Sequence, residues 1–296
     1  MIRLRAPESD DAEAVLAVLV ARDIADLGRP DFTLGDLRDE WRADDFDLAA
    51  DAIVAESDGG DLVGYAVVRR RGVAAAVAPD QEGRGIGTRL LQWAEGRERE
   101  LQHSQHRQWV IAGNERAHDL LRGAGYSVVR SYWRMARSLS DAPEAASPPE
   151  VELRPLRPDE DAVALHALDD AAFSPNPDYQ SQPPDAFRQE HLQAHDLDPS
   201  LSVVAETSGH IAGFLLTRRW SEESLGYVDI LAVHPAHQGR RIGTALLQTC
   251  FARCAAAGLR EAQLGVASDN PRALHLYERV GMTPRFRADT YERPAG

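Results

Sequence analysis

The sequence predicts a mixed α/β fold, with helices layered on sheets, that occurs twice in tandem along the 296 residues. The two halves contain matching segments in the same order, which indicates two copies of one domain. Within each half, closely spaced strand patterns come first, and alternating strands and helices come later. The first arrangement favours antiparallel pairing and the second favours parallel pairing, so each copy is expected to hold a mixed sheet covered by helices.

The internal repeat defines the expected domain organisation. Residues 53–57 recur as 203–207, an offset of 150, and residues 77–88 recur as 233–244, an offset of 156. The second copy therefore carries a short insertion between 213 and 233. A connector rich in Pro, Ala and acidic residues separates the copies. We expect an N-terminal domain at 1–138, a linker at 139–150 and a C-terminal domain at 151–296.

Each copy is expected to open with an amphipathic helix, at 10–20 and at 159–168, followed by a segment that differs between the copies. Two strands joined by a turn come next, at 52–56 and 62–69 in the first copy and at 201–206 and 211–217 in the second. A further strand ends at Val77 or Val233, and a Gly-rich turn follows it.

The helix after this turn, at 88–101 and 244–257, has the clearest periodicity. In the second copy Leu247, Cys250, Phe251 and Cys254 follow the i, i+3, i+4, i+7 spacing of an apolar helical face. These two cysteines are therefore expected in the core, rather than in a disulfide or at a catalytic centre. A strand (109–112; 262–266), a short helix after Asn114 or Asn270 and a last strand complete each copy.

The charge of the chain limits its partners. A net charge of −14 disfavours a nucleic-acid partner, because an acidic surface repels phosphate. No apolar run approaches 18 residues and the first residues contain no apolar leader, so we expect a cytoplasmic protein with no membrane partner, as a monomer or homodimer. All 33 basic residues are arginine, which excludes a Gly-Lys-Ser/Thr phosphate loop and a Schiff-base lysine.

The Gly-rich turn predicts a pyrophosphate site. Glycines let a ligand approach the backbone, and the free N–H groups at the start of the following helix favour an anion. In the second copy Arg240 and Arg241 add positive charge. The Gly-x-Gly-x-x-Gly spacing of dinucleotide sites is absent from both copies of the turn.

Two motifs give the chain a resemblance to the GNAT superfamily of acetyltransferases. The family's pyrophosphate motif, Gln/Arg-x-x-Gly-x-Gly/Ala, is matched in the second copy by Gln238 and Gly243, with Arg241 in place of the middle glycine. The first copy has both glycines but has Glu82 in place of Gln/Arg, which puts a carboxylate beside the phosphate site. The family's second motif, Asn-x-x-Ala-x-x-Leu-Tyr-x-x-x-Gly-Phe/Met, is complete at 270–282.

The resemblance implies two tandem GNAT-like domains and acetyl-CoA as the cofactor, bound between the strand ending at Val233 and the strand 262–266. It implies that an acceptor amine attacks the thioester directly while backbone N–H groups polarise the carbonyl. Tyr277 would donate a hydrogen bond or a proton to the departing thiolate. The expected cofactor-binding residues are Leu231, Ala232, Val233, Gln238, Gly239, Arg240, Arg241, Ile242, Gly243, Thr244 and Asn270.

The acceptor amine must also lose a proton. Asp229, on the strand that leads to Val233, is the first candidate to receive it, and Glu206, Glu222 and Glu223 are weaker ones. No metal is expected, because no carboxylate or cysteine completes a ligand set with the neighbouring His234 and His237.

The second copy is expected to carry the chemistry. The first copy has Leu121 at the position of Tyr277 and Val73 at the position of Asp229, in addition to Glu82, so it is expected to be catalytically degenerate. The expected function is an acetyl-CoA-dependent N-acetyltransferase acting on a primary amine of a small molecule, such as a metabolite or antibiotic. A protein or peptide N-acetyltransferase and a non-catalytic acyl-CoA-binding protein remain alternatives.

Overall fold

The computed structural model describes residues 2–69, 72–141, 147–176, 179–220 and 224–294. The chain forms two compact units, of which unit 1 comprises Met1–Tyr132 with Phe286–Gly296, and unit 2 comprises Trp133–Arg285. The units follow the two copies except at their last strands, since residues 133–138 belong to unit 2 and the end of the chain belongs to unit 1. A repeat in sequence identifies the copies, but it does not specify the sheet that a terminal strand joins.

Unit 1 contains the elements of the first copy in the expected order. Its helices are α1 (Ala12–Leu27), α2 (Leu34–Trp41), α3 (Leu48–Asp51), α4 (Ile86–Glu100) and α5 (Glu115–Gly123). Its strands are β1 (Arg3–Arg5), β2 (Ala52–Glu56), β3 (Leu62–Arg69), β4 (Gly72–Val77) and β5 (Gln105–Ile111), and β6 (Ser127–Ser138) begins in this unit.

Unit 2 repeats this order, with different helical elements between its first helix and its second strand. Its strands are β7 (Glu152–Pro155), β8 (Val203–Thr207), β9 (His210–Trp220), β10 (Leu225–Val233) and β11 (Glu261–Ala267), and β12 (Thr283–Pro294) ends the chain. Its helices are α6 (Pro158–Phe173), α7 (Pro184–Phe187), α8 (Ile242–Ala256) and α9 (Pro271–Arg279). A π-helical turn, Arg188–Leu192, continues α7.

Both units have the mixed sheet that the sequence predicts. In unit 1, β1 to β4 pair antiparallel, β4 pairs parallel with β5, and β12 pairs antiparallel with β5. In unit 2, β7 to β10 pair antiparallel, β10 pairs parallel with β11, and β6 lies beside β11. Every helix in the described parts of the chain is too short or too polar to span a bilayer.

The parallel pair of each sheet separates along its length. The register of β10 with β11 ends at Val228 and Leu264, and a β-bulge interrupts β10 between Val228 and Ile230. Beyond the bulge, β10 continues to pair with β9 alone among the described strands, up to Val233. A gap therefore opens between β10 and β11, and β4 and β5 show the same feature because their register is limited to Val73 and Gln108.

The bulge also changes which side chains face which layer. Val228 packs in the core beneath α8, whereas Ile230 and Ala232 pack on the opposite face with α6. Because side chains normally alternate along a strand, two residues of equal parity on opposite faces require the extra residue of a bulge. Cys250 and Cys254 lie on the buried face of α8 as free cysteines, in agreement with the apolar face expected there.

One ion-pair network occurs in both copies. Arg5 donates to Asp11 and Glu56 at 2.6 and 2.5 Å, and Arg154 donates to Asp161 and Glu206, both at 2.7 Å. The network ties the first strand to the first helix and to the next strand. Glu206 therefore has a structural partner in unit 2.

Candidate active site

A cleft of about 800 Å³ lies where β10 separates from β11 in unit 2. Three kinds of element line it: the end of β10 with the turn that follows, the face of α9, and the last turn of α6 with the segment after it. Its lining includes Leu231, Ala232, Val233, Gln238, Gly239, Arg241, Ile242, Gly243, Thr244, Asn270 and Tyr277. The structure thus brings together every expected cofactor-binding residue except Arg240, which is exposed beside the turn.

The end of β10 presents backbone hydrogen-bonding groups to this cleft. His234 donates its N–H to the carbonyl of Ala212 on the β9 side, at 2.9 Å. Since successive N–H groups of a strand point to opposite edges, the N–H groups of Val233 and Leu231 face the gap on the β11 side. Two of the three predicted positions on β10 therefore offer donors to a bound molecule, while the N–H of Ala232 is directed towards β9.

The turn after β10 leads directly into α8, whose first N–H groups are free to bind an anion. Arg241 caps this helix in the left-handed conformation, with φ of 62°, as does Gly85 at the start of α4 with φ of 75°. A Cβ on Gly243 would lie 3.2 Å from Leu276 Cδ2, so a side chain at this position would displace its neighbour. Arg241 therefore replaces the middle glycine of the family motif at a cost in backbone strain. The last glycine, Gly243, is required because Leu276 packs against it.

Gln238 links the turn to the strand and to α9. Its Nε2 donates to the carbonyl of Val233 at 3.2 Å, and its Oε1 accepts from Arg272 Nη1 at 2.6 Å. Arg272 is thereby held at the mouth of the cleft, beside Gln238 and Arg241. The turn is consequently basic, as an anion site requires.

Helix α9 supplies Asn270 and Tyr277. Asn270 caps the helix by accepting from the N–H of Ala273 at 3.1 Å. Tyr277 is buried on the same helix and lines the cleft. Burial, together with the nearby Tyr227, raises the pKa of its phenol above the ordinary value, so the hydroxyl keeps its proton at neutral pH and can donate a hydrogen bond.

Asp229 lies at the bulge of β10 and is fully engaged. Its Oδ2 lies 2.8 Å from His191 Nδ1, and its Oδ1 lies 3.3 Å from Arg218 Nε. Burial alone would raise the pKa of Asp229, but His191 and Arg218 together lower it far below the usual range. A carboxyl group with so low a pKa is a weak base, and Asp229 retains its charge instead.

The weaker candidates for accepting a proton are placed elsewhere. Glu206 pairs with Arg154 in the network described above. Glu222 and Glu223 lie outside the described residues.

Sequence reasoning did not find His191. It lies 38 residues from Asp229, in the π-helical turn of the segment that differs between the two copies. A π-helical turn is rare and frequently marks a functional site, but the sequence carries no signal for it. Only the three-dimensional pairing with Asp229 identifies this histidine.

The corresponding cleft of unit 1 has about 810 Å³ and a different set of polar contacts. Glu82 forms ion pairs with Arg22 at 2.5 Å and with Arg116 at 3.1 Å. At the equivalent position of unit 2, the uncharged amide of Gln238 accepts a hydrogen bond from Arg272. Leu121 and Val73 line this cleft at the positions of Tyr277 and Asp229. The carboxylate of Glu82 therefore forms ion pairs with two arginines, at the position that corresponds to the anion site of unit 2.

Comparisons with known proteins identify the family of this chain. A family model described as the acetyltransferase (GNAT) family matches residues 21–126 and 163–282, one match in each copy. The chain belongs to the GNAT acetyltransferase family. Two mycothiol acetyltransferases are among the curated relatives of this GNAT protein. The enzyme of Pseudarthrobacter chlorophenolicus is 33% identical over 237 residues, which cover 76% of this chain and 72% of the relative. The enzyme of Streptomyces coelicolor is 32% identical over 239 residues, which cover 76% of this chain and 74% of the relative.

Solved structures support the tandem GNAT architecture. A GCN5-related N-acetyltransferase from Sphaerobacter thermophilus superposes with a TM-score of 0.81 at 28% identity, covering 99% of this chain and 96% of that one. A tandem GNAT protein from the clavulanic acid biosynthesis pathway has a TM-score of 0.78 at 17% identity, with 100% and 99% coverage, and shows the shared fold. The predicted fold and family are confirmed.

This GNAT protein is accordingly an acetyl-CoA-dependent N-acetyltransferase, and the non-catalytic alternative is set aside. The residues of unit 2 fit acetyl-CoA. The free N–H groups of α8 and the basic turn suit a pyrophosphate, and the inward N–H groups of Leu231 and Val233 suit the amides of an extended pantetheine arm.

Proposed function

We propose that the cleft of unit 2 transfers the acetyl group of acetyl-CoA to a primary amine of a small molecule. The observation that carries this proposal is the set of acidic and aromatic side chains at the end of α6 and in the segment after it, next to the cleft. The proposal assigns the chemistry to the second copy of the domain.

The donor half of the site consists of the residues predicted from the motifs. The turn 238–244 and Arg272 would hold the pyrophosphate, and the end of β10 would hold the pantetheine arm. Because the arm runs from the turn back along β10, its thioester would lie near Leu231 and the bulge. The N–H of Leu231 then faces the thioester carbonyl and stabilises the negative charge that develops on its oxygen.

The acceptor half lies on the α6 side of the bulge. Phe173, at the end of α6, lines the cleft, and its ring stacks on Tyr179 with centroids 6.0 Å apart. The Tyr179 hydroxyl lies 2.7 Å from Asp169 Oδ2 and 2.6 Å from Asp170 Oδ1. Carboxylates and aromatic rings beside the reacting position favour a cationic ligand, and an alkylammonium group is such a ligand.

The covering segment supports a small acceptor. Phe187 and Leu192 are buried in the core that α6 forms on the sheet, so the segment covers this face of the sheet. A peptide acceptor needs an extended open groove, whereas an acidic site beside a covered face of the sheet suits the amine of a compact molecule. Two curated relatives are named for mycothiol, which is itself a small molecule.

The reaction forms a bond between the amine nitrogen and the acetyl carbon and breaks the bond between that carbon and the sulfur. The neutral amine loses one proton as the amide forms and the thiolate leaving group gains one; an amine that enters as an ammonium ion first releases one further proton to the solvent. Tyr277 donates a hydrogen bond to the departing sulfur. An alkylamine with a pKa near 10 is mostly protonated at pH 7, and freeing its lone pair costs about 4 kcal/mol.

Unit 1 is proposed to be catalytically degenerate. Leu121 has no proton to donate where Tyr277 stands in unit 2, and Val73 replaces Asp229. Glu82 adds a negative charge at the phosphate position, which opposes pyrophosphate binding. Three positions that the chemistry uses are thus changed together.

A thiol-release assay with acetyl-CoA tests the function. Glucosamine, spermidine and tyramine would represent small amines, and an alanine-initiated tetrapeptide would represent peptide acceptors. Turnover of at least one small amine in preference to the tetrapeptide is the expected result. Turnover of the tetrapeptide alone would replace this proposal with the peptide acetyltransferase.

A further inference from the structure

The His191–Asp229 pair is a charged contact at the bulge of β10 that the donor-binding residues leave unexplained. His191 Nδ1 lies 2.8 Å from Asp229 Oδ2, and the histidine side chain is only 11% exposed. Its ring packs against Phe187, with centroids 5.0 Å apart. Both partners are therefore fixed in place, one by the covering segment and the other by the strand.

Two observations place the His191–Asp229 pair beside the cleft, one on the β10 side and one on the α6 side. Asp229 precedes Leu231 by two residues, so about 7 Å of strand separates it from the N–H proposed to face the thioester carbonyl. On the α6 side, Asp169 lies close enough to His191 to feel its charge, and Asp169 is one helical turn before Phe173, which lines the cleft. His191 is thus located between the end of the donor site and the recess proposed for the acceptor.

The hydrogen bond to Asp229 determines the orientation and tautomer of the imidazole. A carboxylate accepts, so Nδ1 carries the hydrogen and Nε2 holds the lone pair in the neutral ring. Nε2 lies 3.8 Å from the exposed carboxylate of Glu190, which exceeds hydrogen-bonding distance. The basic nitrogen of His191 is therefore directed away from Asp229, towards the side of Glu190. A buried carboxylate that orients a histidine for proton transfer is a recurrent arrangement in enzymes.

We propose that His191 accepts the proton that the acceptor amine loses, through Nε2, and that Asp229 is a positioning residue that orients His191. This inference rests on the proposed function. In the step, the amine nitrogen bonds to the acetyl carbon, its proton passes to Nε2, and the electron pair of the carbon–sulfur bond leaves with the thiolate. No oxidant or further reactant is needed.

Charged and titratable groups from every neighbouring element act on His191. They are Asp229 on β10, Arg218 on β9, Asp169 on α6 and Glu190 in the π-helical turn, whereas His166 and Asp170 on α6 act on Asp169. Burial alone would lower the pKa of His191, but Asp229 outweighs it and the pKa is raised. The rate should consequently rise with pH as the imidazolium loses its proton, with a midpoint above the ordinary histidine value.

The test is the pH profile of kcat/KM for the best small amine among glucosamine, spermidine and tyramine, at saturating acetyl-CoA. In His191→Gln we expect a loss of about 100-fold and disappearance of the part of the acid limb that is due to the imidazolium, while the rise due to deprotonation of the amine itself remains, since general base catalysis contributes on this scale. In Asp229→Asn we expect the acid limb to move to lower pH, because the charge that stabilises the imidazolium is gone. The KM for acetyl-CoA should change less than twofold in both variants.

His166→Gln is the matched control. His166 packs on the same Phe187 ring, with centroids 5.4 Å apart, and its Nε2 bonds to the carbonyl of Gln182. We expect it to keep the wild-type profile within twofold. Melting temperatures of all variants separate a folding defect from a chemical one, and Asp229→Asn decides the question if His191→Gln does not fold.

The outcomes separate this inference from the function on which it rests. A wild-type enzyme that turns over none of the three small amines overturns both. An active wild-type enzyme whose acid limb is unchanged in His191→Gln, or in Asp229→Asn where the first variant is unfolded, overturns the role of His191 and leaves the proposed function intact.

Discussion

Replacing Tyr277 by phenylalanine removes one hydroxyl from the cleft and leaves the ring in the core beneath α8. The cost in folding free energy should therefore stay within about 1 kcal/mol, the usual contribution of one hydrogen bond. The effect on the reaction should be larger, because a hydrogen bond to the leaving sulfur strengthens only as charge develops there. The loss is accordingly expected in kcat.

The size of this loss follows from the environment of the phenol. Its pKa is raised by burial, while the thiol of coenzyme A resembles an ordinary thiol with a pKa near 8.5. Complete transfer of the phenolic proton is therefore unfavourable, and Tyr277 acts mainly through a hydrogen bond. We expect kcat to fall by about 100-fold, the low end of general acid catalysis, which corresponds to about 2.7 kcal/mol.

Steady-state thiol release, with acetyl-CoA and the acceptor varied separately, measures this effect. The KM for acetyl-CoA should remain within about twofold of the wild-type value. Tyr65→Phe is a suitable control, because Tyr65 is also buried, in unit 1, and its hydroxyl donates to Glu40 at 3.3 Å. A kcat within twofold of wild type in Tyr277→Phe, at an unchanged melting temperature, would refute the leaving-group role.

Three further substitutions test other parts of the structure. Arg241→Gly should raise the free energy of unfolding by about 0.5–1 kcal/mol in thermal unfolding, since glycine adopts the left-handed conformation without strain. The same change should weaken acetyl-CoA binding by about two- to fivefold, because a cation is lost from the turn. Arg154→Ala should lower the free energy of unfolding by about 2–3 kcal/mol near pH 7. Because the ion pair with Arg154 lowers the pKa of Asp161, this loss should become smaller as the pH falls below the ordinary pKa of a carboxyl group. Glu82→Gln, made in a Gly243→Asp background, should raise acetyl-CoA affinity at unit 1 by at least about tenfold in calorimetry.

The order of elements could be predicted from the sequence because local patterns determine it. The strands 52–56 and 62–69 have the predicted bounds, and the predicted helix 10–20 is the first part of α1, which continues to Leu27. A helix end is harder to predict than a helix, since capping by Gly28 in the left-handed conformation depends on one residue.

The features that the sequence did not reveal depend on long-range pairing. The assignment of β12 to unit 1 depends on its register with β5, and hydrophobic pattern alone does not select one sheet over another. Asp229 was identified from its place on the strand before Val233, but its partners Arg218 and His191 come from two other elements. The proposed donor site can be predicted from contiguous motifs, whereas the environment of the groups proposed to accept the proton depends on the fold.

Paired aspartate substitutions at the two equivalent glycines test most directly the claim that unit 2 carries the reaction. A Cβ would lie 3.2 Å from Leu276 at Gly243 and 3.1 Å from Leu120 at Gly87, so the steric change is matched. Gly243→Asp should abolish thiol release, because a side chain and a negative charge enter the phosphate site. Calorimetry should then show that acetyl-CoA no longer binds to unit 2, the site expected to bind it more tightly. Gly87→Asp should keep kcat within about twofold of wild type. Full activity in Gly243→Asp, together with its loss in Gly87→Asp, would contradict the account and place the reaction in unit 1.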